Sequence, residues 1–179
     1  MKKTLLLLTT LLFIGCQQPS NSIAVVQVDD DKTQAIHKLL ENYMAYGTDS
    51  YEQGYDQSLI SDDLTGNNSV PGFDVTAESF MATDAQHHAL FENIKMWMPG
   101  EDDGTGGGLH TNYYDEFGTW THYWGTWSAT GRFTGNEVSQ FIHLNWGWND
   151  EGQIIYHNVH ADGKDIWEES NAAEAASKN

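Results

Sequence analysis

The chain has 179 residues and a single cysteine, Cys16, so no disulfide can form within it. Cations are scarce as well. Eight Lys and Arg stand against 26 Asp and Glu, a formal net charge of −18. Nucleic-acid binding is built on basic side chains that neutralise phosphates, so that class of function is excluded. Long apolar runs are missing too: Leu5–Ile14 falls well short of the roughly 20 residues that span a bilayer. There is no HExxH pair and no GxSxG elbow. The glycines of Glu101–Leu109 lack a strand–GxGxxG–helix context, and the acids beside them miss the EF-hand spacing. That segment is expected to be a mobile loop at the rim of a pocket. His88 and Glu92 lie one helical turn apart, but zinc needs three or four converging ligands, so neither a metal nor another cofactor is expected.

What is present at the N-terminus is a leader. Lys2 and Lys3 precede the apolar Leu5–Ile14, which ends in Phe13-Ile14-Gly15-Cys16. This pattern resembles the leader of a bacterial lipoprotein. The resemblance implies lipidation of Cys16 and, with Gln17 rather than Asp beside it, an outer-membrane place in the cell envelope. Losing Lys2 and Lys3 makes the body two units more negative, so contact with the membrane is expected through the lipid alone. Residues 16–31 read as a polar tether, 32–169 as one domain and 170–179 as a disordered, alanine-rich tail.

The domain is organised around three long strands. They are expected at 119–130, 137–148 and 153–161, with Asn149-Asp150-Glu151-Gly152 as a hairpin turn. A twelve-residue strand runs on the order of 40 Å and must coil or bend, and Gly125 and Gly147 are where that is tolerated. Ahead of them, Ile36, Leu39, Leu40, Tyr43 and Met44 follow helical spacing over 32–46, with Gly47 as the stop. This helix is expected to plug the hollow of the sheet. A weaker helical signal covers 49–64, and 65–74 reads as loop. A further helix starts after Thr76 with Phe80, Met81, Ala85 and Leu90 inward, followed by a short strand through Ile94, Met96 and Met98.

Helices leading into long strands, followed by Trp148, Asp150, Gly152, Ile154, His157 and Asp162, resemble the SnoaL-like branch of the NTF2-like superfamily. The family's usual Glu and Trp around that histidine are Tyr156 and Asn158 here. The resemblance covers about 32–168. It implies an α+β fold, an NTF2-like cone of N-terminal helices packed into a strongly curved antiparallel sheet. One fold hosts many chemistries, so it leaves the reaction open.

Alternation assigns the side chains to faces. Ile142, Leu144, Trp146 and Trp148, with Ile155, His157 and Val159, are expected in the hollow, where Tyr123 and Trp127 join them. His143, Asn145, Asn158 and His160 then face outward, on a surface open to a second copy of the chain. The site read from this is a ligand pocket of Tyr123, Trp127, Trp146 and His157 for a small apolar or aromatic molecule. His157 is either a hydrogen-bonded core residue or a general acid or base. Asp162 is either a turn residue or, as the resemblance implies, the acid that takes a proton from a carbon beside a carbonyl. The first reading is a lipid-anchored binding module; the second is an isomerase, cyclase or hydrolase.

Overall fold

A computed structural model describes residues 23–69, 73–102, 104 and 106–178. The leader and Cys16 lie outside the described residues. The architecture is α+β, one curved and unclosed sheet with helices in and around its hollow. Strands β1 (Ala24–Gln27), β4 (Gly108–Tyr114), β5 (Gly118–Gly131), β6 (Glu137–Trp148), β7 (Ile154–His160) and β2 (Ile60–Asn68) lie in that order. Strand β3 (Phe91–Met96) pairs with the second half of β5, following β4 along the same edge. The pairings are antiparallel except that of β2 with β7.

The three long strands stand close to where their residue types and turns put them. Pairing of β5 with β6 runs from Thr119 opposite Trp148 to Thr130 opposite Glu137 without a break. Thr121, Tyr123, Gly125, Trp127 and Ala129 all stay buried on one face, so Gly125 bends the strand without flipping it. A Cβ at 125 would fall 2.4 Å from the Tyr123 hydroxyl, which explains the glycine. Alternation fails on β7. A register shift beside Gly147 places Ile154 opposite Trp148 and changes the parity of the strand start. Ile154 is therefore fully buried and Ile155, expected in the hollow, is exposed.

Helix α1 (Asp31–Ala45) crosses the hollow with Ile36, Leu39 and Leu40 buried, and Gly47 beyond its end has φ +78. Asp30 caps it, accepting from the Thr33 N–H at 3.0 Å. A buried hydroxyl chain fixes its position on the sheet. Thr33 meets Thr111 at 2.8 Å, Thr111 meets Thr121 at 2.8 Å, and the Trp148 indole donates to Thr121 at 2.9 Å. Four elements share that network, and every hydroxyl in it has a partner.

Three expectations need correction. Part of the tether is β1, a strand that satisfies the open edge of β4 through its backbone. The helical signal at 49–64 shrinks to α2 (Tyr55–Leu59), and Ile60–Asn68 is a strand parallel to β7. Its buried Ile60 and Leu64 are four apart because the register is irregular between Ile60 and Thr65, which mimics a helical period. Gly66 lets this strand close on β7: a Cβ there would lie 1.8 Å from the His157 carbonyl oxygen. The tail is not a disordered end at 170, since α4 (Lys164–Ser177) is a helix held by the buried Glu169. The Glu169 carboxyl accepts from the backbone N–H of Phe133 and from Thr134 Oγ1 at 2.6 Å, a tie that alanine richness does not reveal.

Leu40 tests the plug. Leu40→Ala is expected to cost about 2–5 kcal/mol, as large-to-small changes in a packed core do. A denaturant midpoint equal to that of the parent protein would show that α1 does not fill the hollow.

Candidate functional site

The helices do not fill the hollow completely. α3 (Ala77–Leu90), capped by Thr76 and Ser79 in a reciprocal pair, closes over the sheet beside α1. Between them lies a cavity of about 190 Å³. Its floor is Trp127 from β5, Ile142, Leu144 and Trp146 from β6, and His157 and Val159 from β7. Leu39, Leu40 and Tyr43 of α1 form one wall, and Phe80, Thr83, Asp84 and His87 of α3 form another. Asp56 of α2 adds a carboxyl, and Asn68, Phe73, Val75 and Ile166 also line it. The described residues of the Gly-rich segment Glu101–Leu109 do not line it.

Of the expected pocket residues, Trp127, Trp146 and His157 meet here and Tyr123 does not. Tyr123 is fully buried further along β5, beside Trp97, where its hydroxyl donates to the Trp97 carbonyl at 3.1 Å. The strand face was right, but one face of a strand this long serves both core and cavity. Asp162 is also outside. It is exposed at the end of β7, where its Oδ1 accepts from the Lys164 N–H at 3.0 Å at the start of α4. That is a turn-residue role, and it leaves Asp162 away from the cavity.

His157 is stacked on Trp146 with ring centroids 5.2 Å apart and meets the edge of Phe80 at 5.2 Å. Its Nδ1 lies 3.1 Å from the Asn145 carbonyl. A carbonyl only accepts, so Nδ1 carries the proton and Nε2 keeps the lone pair. Burial holds its pKa down to about 4, partly opposed by that carbonyl. His157 is thus neutral at ordinary pH.

A second polar line enters from the helices. The Trp127 indole donates to the Tyr43 hydroxyl at 2.9 Å, and that hydroxyl lies 2.8 Å from His87 Nδ1. The direction of that second bond follows the His87 tautomer. Burial, with the neighbouring His88, lowers the His87 pKa to about 4, and burial raises that of Tyr43. The whole line is uncharged.

The third feature is a pair of acids. Asp84 and Asp56 are both buried and both line the cavity, close enough for one carboxyl to bond the other when it is protonated. Burial first, then the charge of Asp56 and the bond to it, pushes Asp84 up to about 7. Asp56 is also raised by burial, with the Asn42 amide bond at 3.4 Å acting against that. Two adjacent carboxyls that resist joint ionisation titrate as a unit.

Sequence patterning missed Asp56, Asp84, Tyr43 as a polar group, and His87. On α3 the expected inward residues Met81 and Ala85 are exposed, and Asp84 is buried in their place. A signal existed: from Phe80, the i+4 and i+7 positions are Asp84 and His87. Reading only apolar residues for the inward stripe hides a helix that turns polar groups toward a cavity.

The outer face of the sheet carries a separate ladder. His110, His122, Trp124, His143 and His160 stack across β4 to β7, with Trp124 and His143 centroids 4.5 Å apart. Among the described residues no group of three or more His, Cys, Asp or Glu is arranged to hold a metal ion.

No family model matches the sequence, and no curated protein matches it. Solved structures do. An NTF2-like protein of unknown function from Exiguobacterium sp. 255-15 is 17% identical, with TM-score 0.52, over 72% of this chain and 98% of its own. A protein described as a SnoaL-like polyketide cyclase from Jannaschia sp. CCS1 is 12% identical, with TM-score 0.55, over 84% and 94%. A pinacolase from Penicillium brevicompactum is 12% identical, with TM-score 0.55, over 82% and 96%. At such identities the likeness is one of fold, and the fold of this chain is NTF2-like.

Proposed function

We propose that the chain is a pocket protein that binds a small, mainly apolar or aromatic molecule in the hollow of its sheet. The observation that carries this is the cavity itself. About 190 Å³ of space walled by Trp127, Trp146, Phe80, Ile142 and Leu39 is left open in an otherwise packed core. Protein interiors are close-packed, and apolar voids of about 150 Å³ accept a benzene-sized guest. The ligand is therefore on the scale of one ring with a short substituent. Asp84, His87 and His157 supply the few polar groups that orient a guest in an apolar pocket.

A second reading, proton transfer of the isomerase, cyclase or hydrolase kind, is favoured by one observation. An acid whose pKa burial raises to about 7 in the wall of a cavity is poised to give and take protons at neutrality. In that reading Asp84, with Asp56 beside it, takes the role sequence alone assigned to Asp162 or His157. The carboxylate accepts a proton from a carbon beside a carbonyl and returns it elsewhere on the same molecule.

Attachment belongs to the same proposal: Cys16 carries the lipid that holds the domain in the cell envelope, at the outer membrane. Cys16→Ser is expected to abolish incorporation of radiolabelled fatty acid. Equal labelling of the variant and the parent would remove the anchor.

The pocket reading is tested by thermal shift and tryptophan emission with indole, toluene and phenol. At least one is expected to quench emission and raise Tm by mass action. Leu144→Trp, which fills the cavity from its floor, should abolish both effects, and His143→Ala on the outer face should leave them intact. Effects that survive Leu144→Trp but vanish in His143→Ala would put the site on the other face.

A further inference from the structure

The cavity is one-sided in charge. Among its described lining residues Asp56, Asp74 and Asp84 are acids, and there is no Lys or Arg. Asp84 is 7% exposed, and among the described residues no N–H or O–H donor reaches its Oδ2. A buried carboxylate without donors or a countercharge is strongly disfavoured. The described lining gives the acid a second carboxyl, Asp56, as a neighbour and no cation. The rings of Tyr43, Phe80 and Trp127 line the same cavity, and aromatic faces attract positive charge. A guest that brought its own positive charge would meet both needs. An anionic guest would meet three carboxyls and no counter-ion.

We infer that the ligand of this cavity is a small organic monocation, a protonated amine on a ring-sized apolar body, with the Asp84 carboxylate as its counter-ion. The inference rests on the reading of the cavity as a ligand pocket and narrows the class of guest. Binding is then linked to proton release. The group that titrates is Asp84, which faces Asp56 from α2, Tyr43 from α1, Tyr51 from the segment after α1, and His87 on its own helix. Asp74 and His157 line the same space. Tyr43 and Tyr51 are raised above their ordinary range, while His87 and His157 are neutral above about 4. The acid pair is what changes charge near neutrality. An arriving cation takes the place of the proton on Asp84, and that proton leaves to solvent.

The experiment is calorimetric titration of the full chain with benzylamine and with benzyl alcohol, which match in shape and differ in charge. Each is run at pH 6 and pH 8, where benzylamine stays cationic. With Asp84 titrating near 7, the ionised fraction rises about tenfold between these pH values, and benzylamine affinity should rise with it. Benzyl alcohol affinity should fall or stay level. At pH 6, titrations in buffers of different ionisation heat should give close to one proton released per benzylamine bound. At pH 8 benzylamine should bind at least tenfold tighter than the alcohol, and Asp84→Asn should bring the two within threefold. This substitution keeps the shape of the neutral acid, and the proton count on the unaltered protein tests the same claim without it. Equal or tighter binding of the alcohol would overturn the inference and leave the pocket standing. An amine preference that persists in Asp84→Asn, or that does not change with pH, would also overturn it. Failure of both probes to bind at either pH would remove the pocket reading and the inference together.

Discussion

The unbroken pairing of β5 with β6 is the constraint on which the rest depends. Twelve opposed residues on each strand make a ribbon too long to lie flat, and its inner face is lined by Tyr123, Trp127, Ile142 and Trp146. Apolar area of that size must be covered, and a strongly twisted ribbon covers it by curling around a helix. α1 is that helix, seated by the hydroxyl chain from Thr33 to Trp148. One helix cannot fill a trough of this length. Tyr123 and Trp97 close one part, and the remainder, under α3, stays open as the cavity.

What stands around the open part is chosen differently from what stands around the closed part. Core positions beside α1 are aliphatic or aromatic, apart from the threonines 33, 111 and 121, whose buried hydroxyls bond one another. Around the cavity the helices present Asp56, Asp84, Tyr43 and His87 instead. Burial disfavours the ionised form of each of these where it sits. Among the described residues the site is therefore polar at one end and free of fixed positive charge. Such a place suits a guest that carries what the walls lack.

Much of the fold was legible, and the reasons are local. Long Thr-, Trp- and Tyr-rich runs separated by a turn gave β5 to β7 with their faces, and α1 followed from apolar spacing and Gly47. Parity was lost where a bulge intervened, at Ile154 and Ile155. β2 was hidden because its two buried residues keep a helical spacing across an irregular register. α4 was hidden because its anchor is one buried Glu169 in an alanine-rich stretch. In the site, Trp127, Trp146 and His157 were legible because strands assign faces by simple alternation. Asp84 and Asp56 were not, because an acid on a helix reads as solvated until the space in front of it is known to be closed.

The central claim is that burial in the cavity wall, beside Asp56, lifts the Asp84 carboxyl far above the ordinary aspartate range. Titration of the aspartate side-chain carboxyl carbons by NMR, with Asp84→Asn to identify its signal, measures this directly. The expected result is two separated steps for the Asp56–Asp84 pair, one of them near pH 7. Titration of both carboxyls together near 4, the ordinary range for aspartate, would contradict the account.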